Sequence, residues 1–339
     1  MEINSTLINW YLQHKRDLPW RNTKNPYKIW LSEVILQQTR VQQGLPYFEK
    51  FIKNYPTVTD LATAEEQEIL NDWQGLGYYS RARNMHTTAK LVVEHFNGKF
   101  PSSFTELLKL KGIGEYTAAA IASFAFNEQV AVVDGNVYRV LSRLFDIELP
   151  IDSGQGKVEF KNLAKECLGK EPAAIFNQAI MEFGALFCVP KNPDCSSCIF
   201  QNSCLALANK TVDQRPVKAK KTKVTDRYLL YTIALDKGKI QIEKRNSGEI
   251  WEGLFQFPLN EFQTEVEWQK AIRTDAIFVS ERFKHILSHQ RLHVYFQVTN
   301  EKHHEDNKFI VISPNDFHHY PIPRLIEKFW EKHQQVLNQ

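Results

Sequence analysis

Leu110-Lys111-Gly112-Ile113-Gly114-Glu115-Tyr116-Thr117, followed at once by Ala118-Ala119-Ala120-Ile121-Ala122, is the stretch on which the fold turns. The alanine-rich run is a strong helix former. A Gly-x-Gly turn directly before it leaves backbone N–H groups at the positive end of the helix dipole, a ready site for an anion such as phosphate. Turns of this kind also serve as plain connectors between helices. The stretch therefore takes its meaning from what surrounds it.

On both sides, as far as about residue 205, the chain reads as helices joined by short loops. Leu61, Leu70, Trp73 and Leu76 recur at helical spacing, as do Val137, Val140, Leu141 and Leu144. Asn25-Pro26, Asn97-Gly98 and Phe100-Pro101 punctuate the runs. From Tyr228 the period changes. Tyr228 to Leu235 is β-rich, Asp236-Lys237-Gly238-Lys239 is a turn, and Lys239 to Glu243 resumes as a strand. Leu292, Val294, Phe296 and Val298 alternate with polar residues, the pattern of a half-buried strand. Arg324 to Val336 reads as a closing amphipathic helix. The expected organisation is an all-α domain over 1–215, a linker over 216–227 and an α+β domain over 228–339.

A chain of 339 residues, 43% hydrophobic and 24% charged, suits two globular domains with real cores. It holds no run of 18 apolar residues, so no membrane span is expected, and its first residues carry no charged-then-apolar leader. Five cysteines without an export signal suggest a reducing compartment, where thiols bind metal or stay free. The net charge of +3 lies in one place. Residues 1–217 carry 23 basic and 23 acidic side chains, whereas 218–227 carry five and one: Lys218, Lys220, Lys221, Lys223 and Arg227 against Asp226. Such a block is a solvated segment, and it becomes a phosphate-tracking linker only if the neighbouring domains also touch nucleic acid.

Cys188, Cys195, Cys198 and Cys204 are spaced C-x6-C-x2-C-x5-C. Four thiolates so close in sequence can wrap one metal centre. Zinc accepts four sulfurs, but its usual sites pair two short knuckles across a longer spacer. An iron–sulfur cluster tolerates the uneven spacing better. The remaining thiol, Cys167, reads as a small core residue.

The hairpin, the segment Val132-Val133-Asp134-Gly135-Asn136-Val137-Tyr138-Arg139-Val140 and the cysteine loop 188–204 occur in an order that resembles the helix-hairpin-helix, iron–sulfur DNA glycosylases of the endonuclease III superfamily. Within that superfamily, Leu18-Pro19-Trp20-Arg21, Trp30 to Thr39 (WLSEVILQQT) and Gly75-Leu76-Gly77-Tyr78-Tyr79 closely resemble the adenine DNA glycosylases. The match is dense over 18–205 and looser beyond. It implies an all-α helix-hairpin-helix domain that takes adenine from its sugar, one four-iron four-sulfur cluster on the four cysteines, and Gly112 and Gly114 as the phosphate grip. The partner implied is duplex DNA with adenine opposite 8-oxoguanine or guanine, bound by a monomer in a bacterial-type cytoplasm, at the nucleoid.

Excising adenine needs an acid for the leaving base and a group to stabilise the sugar cation left behind, work usually shared by two carboxyls. Were Tyr27 to Gln38 helical, Glu33 would share a face with Ile29, Trp30 and Leu36, and its pKa would rise into the range of a proton donor. A glutamate there can equally turn to solvent or pair with Arg40. The resemblance favours the first reading, since the matching glutamate protonates adenine at N7. Asp134, just before a helical run that begins near Val137, reads as a turn or N-cap residue. The resemblance adds cation stabilisation to Asp134, and the positioning of water or substrate to Asn136. Tyr116 stands where strand-cleaving relatives carry the lysine that forms a Schiff base. An enzyme that removes the base and stops is therefore expected.

The resemblance also places Arg21 among DNA contacts, Gln38 and Tyr78 as residues that fill the emptied base stack, and Thr39 and Leu76 near the opposite base. Tyr79 reads as core. Lys244-Arg245 leading into Gly253-Leu254-Phe255-Gln256-Phe257-Pro258 is similar to a Nudix-fold, MutT-like stretch, but the acidic Nudix box is absent. A module that binds rather than hydrolyses is expected, with Ser288 and His289 of Leu287-Ser288-His289 reading 8-oxoguanine. Three rivals stand against this whole. An endonuclease III-like glycosylase/lyase for oxidised pyrimidines is opposed by Tyr116 and by the second domain. A non-catalytic iron–sulfur lesion-binding protein is opposed by the presence of both Glu33 and Asp134. A Nudix hydrolase is opposed by the missing box.

Overall fold

The computed structural model describes residues 3–219 and 224–337. Of the basic block, Lys220, Lys221 and Lys223 lie outside the described residues. Contacts group the chain into two compact units, one drawn from residues 1–62 and 87–221, the other from 63–86 and 222–339. Helices α1 (Ile3–His14), α2 (Pro26–Leu36), α3 (Val41–Asn54), α4 (Val58–Thr63), α5 (Glu66–Asp72) and α6 (Ser80–Phe96) come first. Next are α7 (Phe104–Leu107), α8 (Glu115–Phe126), α9 (Gly135–Leu144), α10 (Gly154–Leu168), α11 (Ala173–Leu186) and α12 (Leu205–Ala208). A mixed region then runs β1 (Thr225–Ala234), β2 (Ile240–Lys244), β3 (Phe255–Gln256), β4 (Leu259–Phe262), α13 (Glu265–Lys270) and β5 (Phe278–Val279). It closes with β6 (Phe283–Ile286), β7 (Gln290–Thr299), β8 (Phe309–Ile312) and α14 (Arg324–His333). Among the described residues, no helix is long and apolar enough to cross a membrane.

The helices that matter for the site start at strong local signals. Asn25 caps α2, accepting from the backbone N–H of Tyr27 at 2.9 Å, and Pro26 fills the first turn, where a missing N–H costs nothing. That helix stops at Leu36, two residues short of the Gln38 the sequence suggests, because Gln38 takes a left-handed φ of +61°. Asp134 caps α9, which begins at Gly135 rather than near Val137, since the cap's carboxylate reaches the N–H groups of both Asn136 and Val137. Trp10, Phe160, Phe176, Phe183 and Phe200 knit α1, α9, α10 and α11 into one core, with Trp10 and Phe200 edge-on to Phe183 at 5.1 and 5.5 Å. Cys167 packs against this core, as its sequence context suggests.

The apolar spacing from Leu61 to Leu76 does not make one helix. Leu61 falls in α4 and Leu70 in α5, and the chain then turns through Gly75 and Gly77 at φ +98° and +72°, values no helix holds. In the second unit, β1 and β7 pair in parallel over ten residues, from Thr225↔Gln290 to Ala234↔Thr299. They form the centre of a sheet ordered β4-β1-β7-β5, with β6 also on β7, beside a second sheet β3-β2-β8. The strand β7 is not half-buried as its alternation implies. Its polar members His293, Gln297 and Thr299 are buried too, because α13 and neighbouring side chains cover that face and Trp268 stacks on Tyr295 at 4.5 Å. The opposite face meets α14, where Phe296 stacks on Phe329 at 4.0 Å.

Candidate active site

Glu33, Tyr116, Asp134, Asn136 and Arg21 come together in the first unit, in the wall of one cavity of about 660 Å³. Helix α2 presents Glu33 on its inner face, 6% exposed, with Ile29 and Leu36 also lining the cavity. The glutamate neither reaches solvent nor pairs with Arg40. It accepts a hydrogen bond at Oε2 from the Tyr116 hydroxyl, carried on the first turn of α8. Burial pushes the Glu33 carboxyl up to about 7; the nearby Asp134 charge adds to this, while Tyr116 and Arg21 offset part of it. Burial and the two carboxylates together hold the Tyr116 phenol far above its ordinary value, so it stays protonated and donates.

Asp134 reaches the cavity from the mouth of α9. Its Oδ1 takes the N–H groups of Asn136 and Val137 at 2.9 and 2.8 Å, and its Oδ2 takes the Asn136 amide at 2.7 Å. Those donors favour the ionised form, yet burial outweighs them and raises the carboxyl above the usual range. Asn136 is held in turn by Arg139, whose Nη2 donates to Asn136 Oδ1 at 2.9 Å and to the Gly184 carbonyl at 2.6 Å, while its Nε reaches the Cys188 carbonyl at 2.7 Å.

Three residues of this site are invisible to motif reading. Glu182, 1% exposed on α11, takes both forks of Arg21 at 2.8 and 2.6 Å and both of Arg16 at 2.8 and 2.5 Å. Burial alone would raise its carboxyl, but the two guanidiniums pull it down to about 2. The signal was a lone carboxylate in the apolar run Ile180-Met181-Glu182-Phe183, the same pattern that marks Glu33. Arg16 has no such signal. Gly184 is the third. A Cβ there would stand 2.7 Å from the Asn136 Cβ, so α11 and α9 approach this closely only because the side chain is absent. Gly184→Ala is expected to cost about 1–3 kcal/mol through overpacking and to slow turnover by displacing Asn136. Melting temperature and single-turnover rate measured together check both effects.

The remaining residues singled out in the sequence lie outside this cavity, Thr39 excepted. Gly112 sits at φ +82°, and both it and Gly114 are exposed, with open space around the position a Gly114 Cβ would take. Buried Ile113 anchors the turn between them, and Thr88 Oγ1 donates to the Lys111 carbonyl. Gln38 is exposed, while Thr39 lines the cavity and is half-buried. In the second unit Leu76 is buried and Tyr78 is 52% exposed, again in a left-handed conformation at φ +48°. Tyr79 is core, with its hydroxyl donating to the Ile322 carbonyl. Ser288 and His289 form the exposed tip of the β6–β7 hairpin, closed by Leu287 N–H to the Gln290 carbonyl at 2.8 Å, and Leu287 packs on the domain core. Ser288 Oγ lies 2.9 Å from the Tyr78 hydroxyl.

The four cysteines of the 188–204 loop are all half-buried. Among the described residues no three His, Cys, Asp or Glu side chains converge to hold a single metal ion. Donors in and around the loop face three of the four sulfurs. Arg143 Nη1 reaches Cys188 Sγ and the Phe200 N–H reaches Cys198 Sγ, each at 3.4 Å, and backbone N–H groups of Leu207 and Ala206 face Cys204. Burial, with the neighbouring thiols adding to it, pushes Cys198 up to about 11.

A buried carboxyl pushed up to about 7 and a second, helix-capping carboxyl face one cavity in an all-α unit, an arrangement that fits a base-excising DNA glycosylase. Residues 31–165 match the HhH-GPD superfamily of base excision DNA repair proteins, and residues 230–332 match the NUDIX domain. The chain is 39% identical over 297 residues to the adenine DNA glycosylase of Buchnera aphidicola subsp. Baizongia pistaciae (strain Bp), covering 85% of this chain and 83% of that one. It is 35% identical over 295 residues to the adenine DNA glycosylase of Buchnera aphidicola subsp. Schizaphis graminum (strain Sg), covering 85% and 84%. Among solved structures, a thermostable thymine-DNA glycosylase superposes with a TM-score of 0.56 at 29% identity, over 60% of this chain and 94% of its own. The chain belongs to the adenine DNA glycosylase family.

Proposed function

We propose that this enzyme hydrolyses the N-glycosidic bond of adenine mispaired with 8-oxoguanine, and with guanine, and leaves the strand intact. The observation that carries the chemistry is the pair of carboxyls in one cavity, Glu33 buried and poised near neutrality and Asp134 held by three hydrogen-bond donors. Because Glu33 Oε2 already accepts from Tyr116, the acid proton is carried on Oε1 and passes to adenine N7. The bond from sugar C1′ to N9 then breaks, and its electron pair leaves with the base. The Asp134 carboxylate stabilises the cation at C1′. Water, positioned by Asn136, adds to C1′ and passes its proton to the Glu33 carboxylate left by the first step, which restores the acid.

Tyr116 has no amine, and among the described residues no lysine lines the cavity, which supports base removal without a Schiff base. Gly112 and Gly114 grip a phosphate, with Arg21, Gln38, Thr39, Leu76 and Tyr78 completing the DNA contacts. Ser288 and His289 read the opposite base, and the NUDIX domain binds without hydrolysing. Cys188, Cys195, Cys198 and Cys204 hold one four-iron four-sulfur cluster, whose chemistry here is to clamp the loop. The N–H donors facing the sulfurs support that assignment. The protein works as a monomer wherever the cell keeps its DNA.

The test is incubation with duplexes carrying A·8-oxoguanine, A·G, A·T and thymine glycol, scored for base release and for strand cleavage with and without alkali. Alkali-dependent cleavage confined to the first two is expected; cleavage at thymine glycol, or without alkali, would overturn the reading. Ser288→Ala combined with His289→Ala is expected to narrow the preference for A·8-oxoguanine over A·G by about tenfold, the worth of one or two lost hydrogen bonds. An unchanged ratio removes those two residues from recognition.

A further inference from the structure

Tyr78 offers its ring to solvent from a backbone conformation that disfavours side chains, at φ +48°, directly after Gly77 and three residues after Gly75, both at positive φ. Such a conformation persists only where its surroundings over-determine it. Here two side chains hold the carbonyls of the turn. Arg81, 8% exposed on the first turn of α6, donates through Nη2 to the carbonyls of Leu76 and Gly77 at 3.3 and 3.1 Å. Its guanidinium lies 5.0 Å from the centre of the Trp73 ring and 5.7 Å from that of Tyr78. Trp73 Nε1 donates to the Gly77 carbonyl as well, at 3.0 Å. Burial draws the Arg81 pKa down to about 10, which still leaves a cation at neutral pH, placed where its charge is costly.

We propose that Arg81 is a positioning residue for mismatch recognition, fixing the Gly75–Tyr79 turn so that the Tyr78 ring is presented to the DNA stack and its hydroxyl to Ser288. The proposal rests on the reading that Tyr78 enters the DNA. Both carbonyl bonds come from Nη2, which leaves the plane of the guanidinium to lie against the two rings. A lysine ammonium could still donate to carbonyls, but it is a point charge on a flexible stem with no planar group to fix the rings and the turn together. The chain Trp73–Arg81–Tyr78–Ser288 runs from the turn to the hairpin tip, so Arg81 acts on recognition through Tyr78 and not by touching the lesion.

A double-mutant cycle of Arg81→Lys and Tyr78→Ala separates the possibilities. Affinity is read on an A·8-oxoguanine duplex whose adenosine carries a 2′-fluorine that resists cleavage. A 2-aminopurine beside the mismatch reports unstacking, and thermal melting reports the fold. Arg81→Lys is expected to weaken binding about tenfold and to suppress the unstacking signal, with no further loss when Tyr78 is already alanine. Arg81→Gln supplies the same comparison should the lysine variant melt early. Additive losses sink the proposal alone, since Arg81 would then act independently of Tyr78. A Tyr78→Ala protein that binds as tightly as its parent sinks the intercalation reading and this proposal with it.

Discussion

Glu33→Gln is expected to leave mismatch binding intact and slow adenine release about a thousandfold, within the range a positioned general acid supplies, while making the protein more stable at pH 8. The two effects share one cause. Glu33 is buried, and its carboxyl is pushed up to about 7 from an ordinary 4.5. Between those values the folded state holds a proton that the unfolded state has released, so unfolding free energy falls as pH rises across that window. Above pH 7 the folded protein carries the full cost of a buried carboxylate, roughly 3 kcal/mol. Glutamine keeps the acceptor for Tyr116 and removes that cost, but it has no proton to give. Melting curves at pH 5 and pH 8, set beside single-turnover rates, check this. If the variant is no more stable at pH 8, Glu33 is not held neutral by its site.

Asp134→Asn is expected to slow excision by a further-reaching mechanism, about 10²–10³-fold through lost electrostatic stabilisation of the sugar cation. The fold should scarcely notice, because asparagine caps a helix as well as aspartate does. The N–H groups of Asn136 and Val137 would keep their acceptor. A large fall in rate with a melting temperature within a few degrees of the parent assigns the carboxylate to the chemistry. A parallel loss of both would reduce Asp134 to a cap.

Together the two carboxyls predict a bell-shaped rate profile. The upper limb falls as pH passes about 7, when Glu33 gives up its proton. The lower limb falls as Asp134 becomes protonated, at a pH above the usual aspartate range because burial raises it. Since each carboxyl feels the other, the limbs belong to the pair.

Local signals in the sequence were enough to place α2, α8 and α9, because caps and glycines act within a few residues. Asn25-Pro26 and Asp134 start helices where the sequence suggests, within two residues. Period-based reading was incomplete where glycines or packing intervened. The spacing from Leu61 to Leu76 hides a turn that Gly75 and Gly77 make, and β7 is buried on both faces although every second residue is polar. Alternation reports one covered face, and nothing local says that Trp268 will cover the other.

The sequence by itself determined which residues could do the chemistry: a carboxyl on an apolar helical stripe, an aspartate at a helix mouth, a glycine turn before a helix and four spaced thiols. Only the tertiary structure decided how those groups behave. Glu33 and Tyr116 are 83 residues apart in the chain, and Arg21 and Glu182 are 161 apart. Burial and the charge of neighbours set a pKa, and both are properties of assembled elements. The hairpin on which the fold turns keeps both its glycines exposed, Gly112 in a left-handed conformation. What only the folded chain reveals is that Tyr116, at its far end, points inward and donates its hydroxyl to Glu33.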